Sequence, residues 1–343
     1  MVLVRLSGGY MPQMDGLRAI AVLAVLYHHW LSPAWPVGHW GVRLFFVISG
    51  YLITKSIIEL KHRGTPLWPA ARRFFVRRSL RLFPAYYLTV LVGALLYSDV
   101  RDLWPWYVAY LSNILMLIEQ RWIALTPSWS LAVEEQFYLV WFFVVMLVGR
   151  RTRLVLMLAM VVAAPLLRHD ALSRDNVFSI LTLWGQCDAL AAGALLYEAE
   201  RSGWRLPGPI RPTLAFAAIA FAALCIAWLM PPLASVAALG VFASAVWLAR
   251  AGFDGPAGSA LSHRWVVQLG KISYGIYLYH MVVPTLLDWL AAGVPGLWRL
   301  LTPETWSAFV LRSAATLAVA QLSFQYFEQP IRHSRFGARM ATA

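Results

Sequence analysis

The chain has 343 residues, of which 60% are hydrophobic and only 13% charged, and its mean hydropathy is +0.62. A water-soluble domain carries about twice that charged fraction, which excludes a soluble globule. The net charge of +13 would point to nucleic acid in a soluble protein. Here the arginines sit in short segments between apolar runs, where they set membrane orientation, so no nucleic-acid partner is expected.

Apolar runs near spanning length recur at 14–32, 41–60, 83–98, 131–149, 154–167, 178–198, 212–230, 233–250, 266–290 and 306–327. They predict an all-α fold: a polytopic membrane bundle of about ten transmembrane helices. A β-barrel is disfavoured, because apolar and polar residues do not alternate in ten-residue segments. Residues 1–343 are expected to form one transmembrane domain with no additional soluble domain. Cys187 and Cys225 are the only cysteines, and their positions give neither a disulfide framework nor a metal-ligand spacing.

The first span contains Arg18, His28 and His29. Ionisable groups at such depth are costly and usually mark a working site. Arg18 and His29 are eleven residues apart, so they lie roughly 20° apart on one helical face and about 16 Å apart along the axis. His28 points some 80° away from Arg18, which makes His29 the better candidate for chemistry. A signal-peptide reading of this stretch is rejected, since cleavage would discard those residues. In the second span, Ser49-Gly50 would let another helix approach closely.

Residues 72–81 hold Arg72, Arg73, Arg77, Arg78 and Arg81, more than orientation needs. Arginine suits a bidentate grip on phosphate oxygens. Arg73 and Arg77, and Arg77 and Arg81, are i,i+4 partners and share a helical face. The segment 103–119 is aromatic and interrupted by Pro105 and Asn113. If it crossed the membrane, the Arg150–Arg153 cluster and the later basic loops would move outside, against the positive-inside rule. It is therefore expected to be re-entrant or interfacial, with both termini cytoplasmic.

Ser130, Glu134, Glu135 and Tyr138 open the next span. Adjacent glutamates point to different faces, so Glu134 or Glu135 can face a polar cavity and pair with an Arg or His. Asp188 is another acid within a span and needs a buried partner. Lys271, Ser273 and His280 lie in the ninth span, where His280 is expected to be a hydrogen-bonding group at the aromatic-rich interface. Glu328-Gln329-Pro330 closes the last span.

Six blocks together resemble the acyltransferase 3 family of polytopic bacterial acyltransferases: DGLRAIAVLAVLYHH, GVRLFFVISGYLIT, RRSLRLFPAYY, SWSLAVEEQFYLVW, GKISYGIYLYH and FEQPIR. They run in family order across 14–332. The resemblance implies a multi-pass protein of the bacterial inner membrane. It would move an acyl group, commonly acetyl, from cytoplasmic acyl-CoA to a hydroxyl of an envelope glycan or glycolipid on the outer side. It assigns the family's arginine to Arg18, its essential histidine to His29, its paired arginines to Arg78 and Arg81, and its glutamate to Glu134. Arg43 stands where many relatives carry Asp, so no acidic role is implied there.

The residues fit that scheme. Arg18, Arg77, Arg78 and Arg81 would hold the CoA phosphates, and His29 would act as general base, with Glu134 orienting its ring. A covalent acyl-His29 intermediate is the competing version. Ser130, Glu135 and Tyr138 are expected to contact substrate. No metal and no tightly bound cofactor is required, since acetyl-CoA is a substrate. A transporter or flippase for a glycan or lipid-linked intermediate remains the alternative, although no inverted repeat supports it.

Overall fold

A computed structural model describes residues 10–33, 37–203, 216, 219, 220, 222, 223, 225, 233–294 and 299–333. Every regular element among them is helical. Helix α1 (Pro12–Trp30) starts with Pro at its first position and Asp15 in its first turn, both suited to a helix N-terminus. Helix α2 (Val37–His62) runs back beside it, and α3 (Leu67–Leu96) follows after a short turn. The arginine block therefore lies inside a 30-residue helix that begins well before the apolar run at 83–98.

Three short helices come next: α4 (Ser98–Asp102), α5 (Trp104–Val108) and α6 (Ser112–Glu119). Eight residues of helix cover about 12 Å against a hydrocarbon core of about 30 Å, so none of the three crosses. This segment is tied down at both ends. Asp99 accepts two hydrogen bonds from Arg121 and one from the Ala124 amide. Tyr86 donates to the Tyr107 carbonyl at 2.8 Å, and Asn113 and Gln136 exchange amide hydrogen bonds.

Helix α7 (Ser128–Leu147) carries the glutamate pair, and α8 (Arg150–Ser173) returns from it. A 3₁₀ turn at Val177–Leu181 leads into α9 (Leu183–Arg201), whose Thr182 cap accepts from the Gly185 amide. Then follow α10 (Ala234–Ala251), α11 (Gly255–Ser262), α12 (Arg264–Lys271), α13 (Ser273–Tyr279), α14 (Val282–Ala291) and α15 (Trp306–Ser323). A π-helical turn at Phe324–Glu328 joins α15 to α16 (Gln329–His333).

Among the described residues, seven helical stretches are long and apolar enough to cross a membrane. They are α2, α3, α7, α8, Val177–Arg201, α10 and Trp306–Arg332. The ten expected spans differ from these in three places. Helix α1 is less apolar because it carries Gln13, Asp15, Arg18, His28 and His29. It tolerates them because most of its faces are covered by protein, leaving a stripe at Ile20, Leu23 and Tyr27 exposed. The run at 266–290 is not one helix but three, broken at Ile272 and at His280–Met281. The expected span 212–230 lies almost wholly outside the described residues.

Close helix crossings rest on glycine. A Cβ on Gly50 would stand 1.9 Å from the Leu190 carbonyl oxygen, and one on Gly193 would stand 2.0 Å from that of Val47. Helices α2 and α9 therefore touch backbone to backbone. Gly16 and Gly270 do the same for α1, against Leu261 and Asp15. Dispersion contacts at this range supply the association that the hydrophobic effect does not supply within lipid.

Candidate active site

Helices α1, α2, α3, α7, α13 and α16 surround a cavity of about 400 Å³. Its lining includes Arg18, Arg63, Arg73, Arg77, Arg78, Arg81 and Arg332, against only Glu59 and Glu134. Helical periodicity places the α3 arginines there: Arg73, Arg77 and Arg81 are one turn apart on one face. Among the described residues Arg63, Arg73, Arg77, Arg81 and Arg332 make no ion pair with a carboxylate. The excess positive charge fits a polyanionic ligand, because charge of one sign in a low-dielectric cleft is a binding field for the other sign.

Deeper in, Arg78 is held by three groups. Its Nε donates to Glu135 at 3.2 Å, its Nη2 stands 3.5 Å from Glu134, and its guanidinium lies 3.3 Å from the centre of the Tyr138 ring. Glu134 also accepts from Ser49 Oγ at 2.8 Å and from the Tyr138 hydroxyl at 2.6 Å. The two adjacent glutamates thus clasp one guanidinium. Arg18 sits one side of this group, 3.6 Å from Asp15. Ser130 is buried and shares a 2.6 Å hydrogen bond with the Tyr277 hydroxyl, which also donates to the Pro127 carbonyl.

The expected site residues therefore separate into two groups. Arg18, Arg77, Arg78, Arg81, Ser130 and Glu134 line the cavity. Glu135 and Tyr138 do not; they grip Arg78 from behind. His29 also lies outside the lining, near the far end of α1 from Arg18. Its ring neighbours are His28, with centroids 5.1 Å apart, and His280, at 5.0 Å. Glu134, expected to orient His29, is committed to Arg78, Ser49 and Tyr138 instead. Between His29 and the cavity stand His280 and Tyr277, whose rings are 5.5 Å apart.

His280 is fully buried and hydrogen-bonds to the Tyr277 carbonyl oxygen through Nδ1. Arg63, Tyr274, Tyr277 and Arg332 also belong to the cavity. Tyr274 and Tyr277 carry a readable signal, the i,i+3 spacing of polar-tipped aromatics in an apolar span. Arg63 and Arg332 look like ordinary orientation charges in the sequence.

A model described as an acyltransferase domain matches residues 11–324. The chain belongs to the acyltransferase 3 family. It is similar to the peptidoglycan O-acetyltransferase OatA of Listeria monocytogenes, 32% identical over 97% of this chain and 57% of the relative. It is also 32% identical to "Putative peptidoglycan O-acetyltransferase YrhL" of Bacillus subtilis, over 95% of this chain and 56% of that protein. The chain thus spans little more than half the length of these curated relatives. No solved structure matches it.

The second-span arginine has a structural explanation. Arg43 is fully buried and donates to Asp188 at 2.7 Å and to Gln186 at 3.2 Å. Arg168 grips the same carboxylate from the other side, at 2.9 and 2.7 Å. Asp188, the acid that needed a buried partner, has two.

Proposed function

We propose that the protein is a membrane O-acyltransferase that takes an acyl group, acetyl by preference, from cytoplasmic acyl-CoA and delivers it to a hydroxyl of an envelope glycan. The observation that carries this reading is the arginine-lined cavity, in which five guanidinium groups have no carboxylate partner. Arg63, Arg73, Arg77 and Arg81 would meet the phosphates of CoA, and the thioester would extend toward Ser130 and Tyr277. The names of both relatives refer to peptidoglycan, which favours a glycan acceptor.

In this scheme His29 is the general base. The acceptor oxygen attacks the thioester carbonyl as His29 takes the hydroxyl proton. The C–O ester bond forms, the C–S bond breaks, and the proton passes to the departing CoA thiolate. Arg78, locked by Glu134, Glu135 and Tyr138, is a fixed positive charge beside the path of the thioester. Tyr277 separates the cavity from the histidines and must move for the acyl group to pass.

The test is label transfer from acetyl-CoA into extracted glycan by membranes carrying the wild type, His29→Ala or His28→Ala. Loss confined to His29→Ala, with detergent-stable protein in all three, supports the reading. Unchanged transfer by folded His29→Ala sinks the base assignment. Acceptor movement across the membrane without any acylation would establish the transporter alternative.

A further inference from the structure

We infer that His280 is a positioning residue for His29, supplying the acceptor that the glutamates do not. The inference rests on His29 being the base. His280 Nδ1 lies 2.6 Å from the Tyr277 carbonyl oxygen. A carbonyl can only accept, so Nδ1 carries the hydrogen and Nε2 keeps a lone pair. That Nε2 is buried and has no hydrogen-bond partner. A buried acceptor left without a donor is costly and calls for an explanation.

The rings around His280 narrow the choice of donor. Tyr277 is 5.5 Å away, with its hydroxyl already engaged by Ser130 and Pro127. Trp30 is 6.2 Å away. His29 is 5.0 Å away, with the rings tilted by 56°. Two imidazoles joined by one N–H···N bond have centres about 5 Å apart, so the separation is already that of a bonded pair. His29 is the more exposed of the two residues, whereas His280 is fully buried. Rotation of the His29 ring brings its N–H onto His280 Nε2. Its other nitrogen then presents a lone pair to the acceptor hydroxyl. In the transfer step His29 takes the proton and becomes imidazolium, and the bond to Nε2 stabilises that charge. His280 itself neither gains nor loses a proton.

Two substitutions separate positioning from packing. Asn at 280 keeps a donor near the Nδ1 position and removes the Nε2 acceptor. Gln at 280 places an amide oxygen near the Nε2 position. With labelled acetyl-CoA, His280→Asn is expected to lower kcat by about 100-fold with KM for acetyl-CoA within twofold, and His280→Gln to recover to within tenfold of wild type. A detergent-stable His280→Asn protein with wild-type kcat overturns the pairing. If His280→Asn does not accumulate, a folded His280→Gln protein below 1% of wild-type kcat overturns it instead. Absence of label transfer by the wild type itself would overturn the underlying function, a result distinct from either.

Discussion

Arg78 shows how much a single side chain owes to its neighbours. Two carboxylates and an aromatic face fix its guanidinium, and the planar fork is what makes all three contacts at once. Lysine keeps the charge but offers a point donor on a flexible stem. Arg78→Lys is therefore expected to lower kcat/KM for acetyl-CoA by about 10- to 100-fold, or about 1.4 to 2.7 kcal/mol, with the protein still folded. Steady-state kinetics in detergent would check it, and near-wild-type kcat/KM would mean that charge alone suffices. In the sequence Arg78 is one arginine of five. Only the fold shows that both glutamates close on it. The proximity of His29 and His280 is less legible still, since nothing in the spacing of residues 29 and 280 brings them together.

The helix crossings make their own demands. Gly50 faces the Leu190 carbonyl at a distance no Cβ can share, while Gly240 on α10 faces open space. Gly50→Ala should force α2 and α9 apart at a cost of about 1–3 kcal/mol. Gly240→Ala should stabilise by up to about 1 kcal/mol through helix propensity. Thermal melts in detergent would show the first variant falling and the second holding or rising. Equal effects would refute the backbone contact.

The non-crossing segment α4–α6 has a pH-sensitive fastening. Hydrogen bonding by Arg121, with help from the Ala124 amide, holds the Asp99 carboxyl below its usual range. A depressed pKa means that the contribution is complete above the ordinary carboxylate value and is lost as pH falls through the folded one. Proteolysis or hydrogen exchange in 98–127 should accelerate below about pH 4 in the wild type. Asp99→Asn should show the fast behaviour at neutral pH. A wild type insensitive to pH in that range would count against the clasp.

Across the bundle, the group Arg43–Asp188–Arg168 joins α2, α8 and α9 with two cations on one carboxylate, all buried. The asymmetry predicts unequal costs. Asp188→Asn strands two buried guanidinium groups and is expected to cost about 3–5 kcal/mol, seen as loss of detergent-stable protein. Arg43→Leu leaves the Arg168–Asp188 pair intact and neutral, so it should be tolerated better. If Arg43→Leu proves the more damaging of the two, Arg43 does more than neutralise Asp188.

Composition alone required a membrane bundle, because a chain so poor in charge cannot be kept in water. Apolar periodicity marked most spans, since lipid demands long apolar helices whatever their neighbours. The intramembrane charges in the sequence called for buried partners, because unpaired charge is costly there. Helix faces also put Arg73, Arg77 and Arg81 on one side of their helix, and all three line the cavity. Partnership was different. That residues 264–291 break into three helices and that Glu134 serves Arg78 are tertiary facts. Each depends on residues far apart in the chain. In a bundle, which distant side chain answers a buried charge is decided by how the helices pack, and neighbours along one helix carry no record of it.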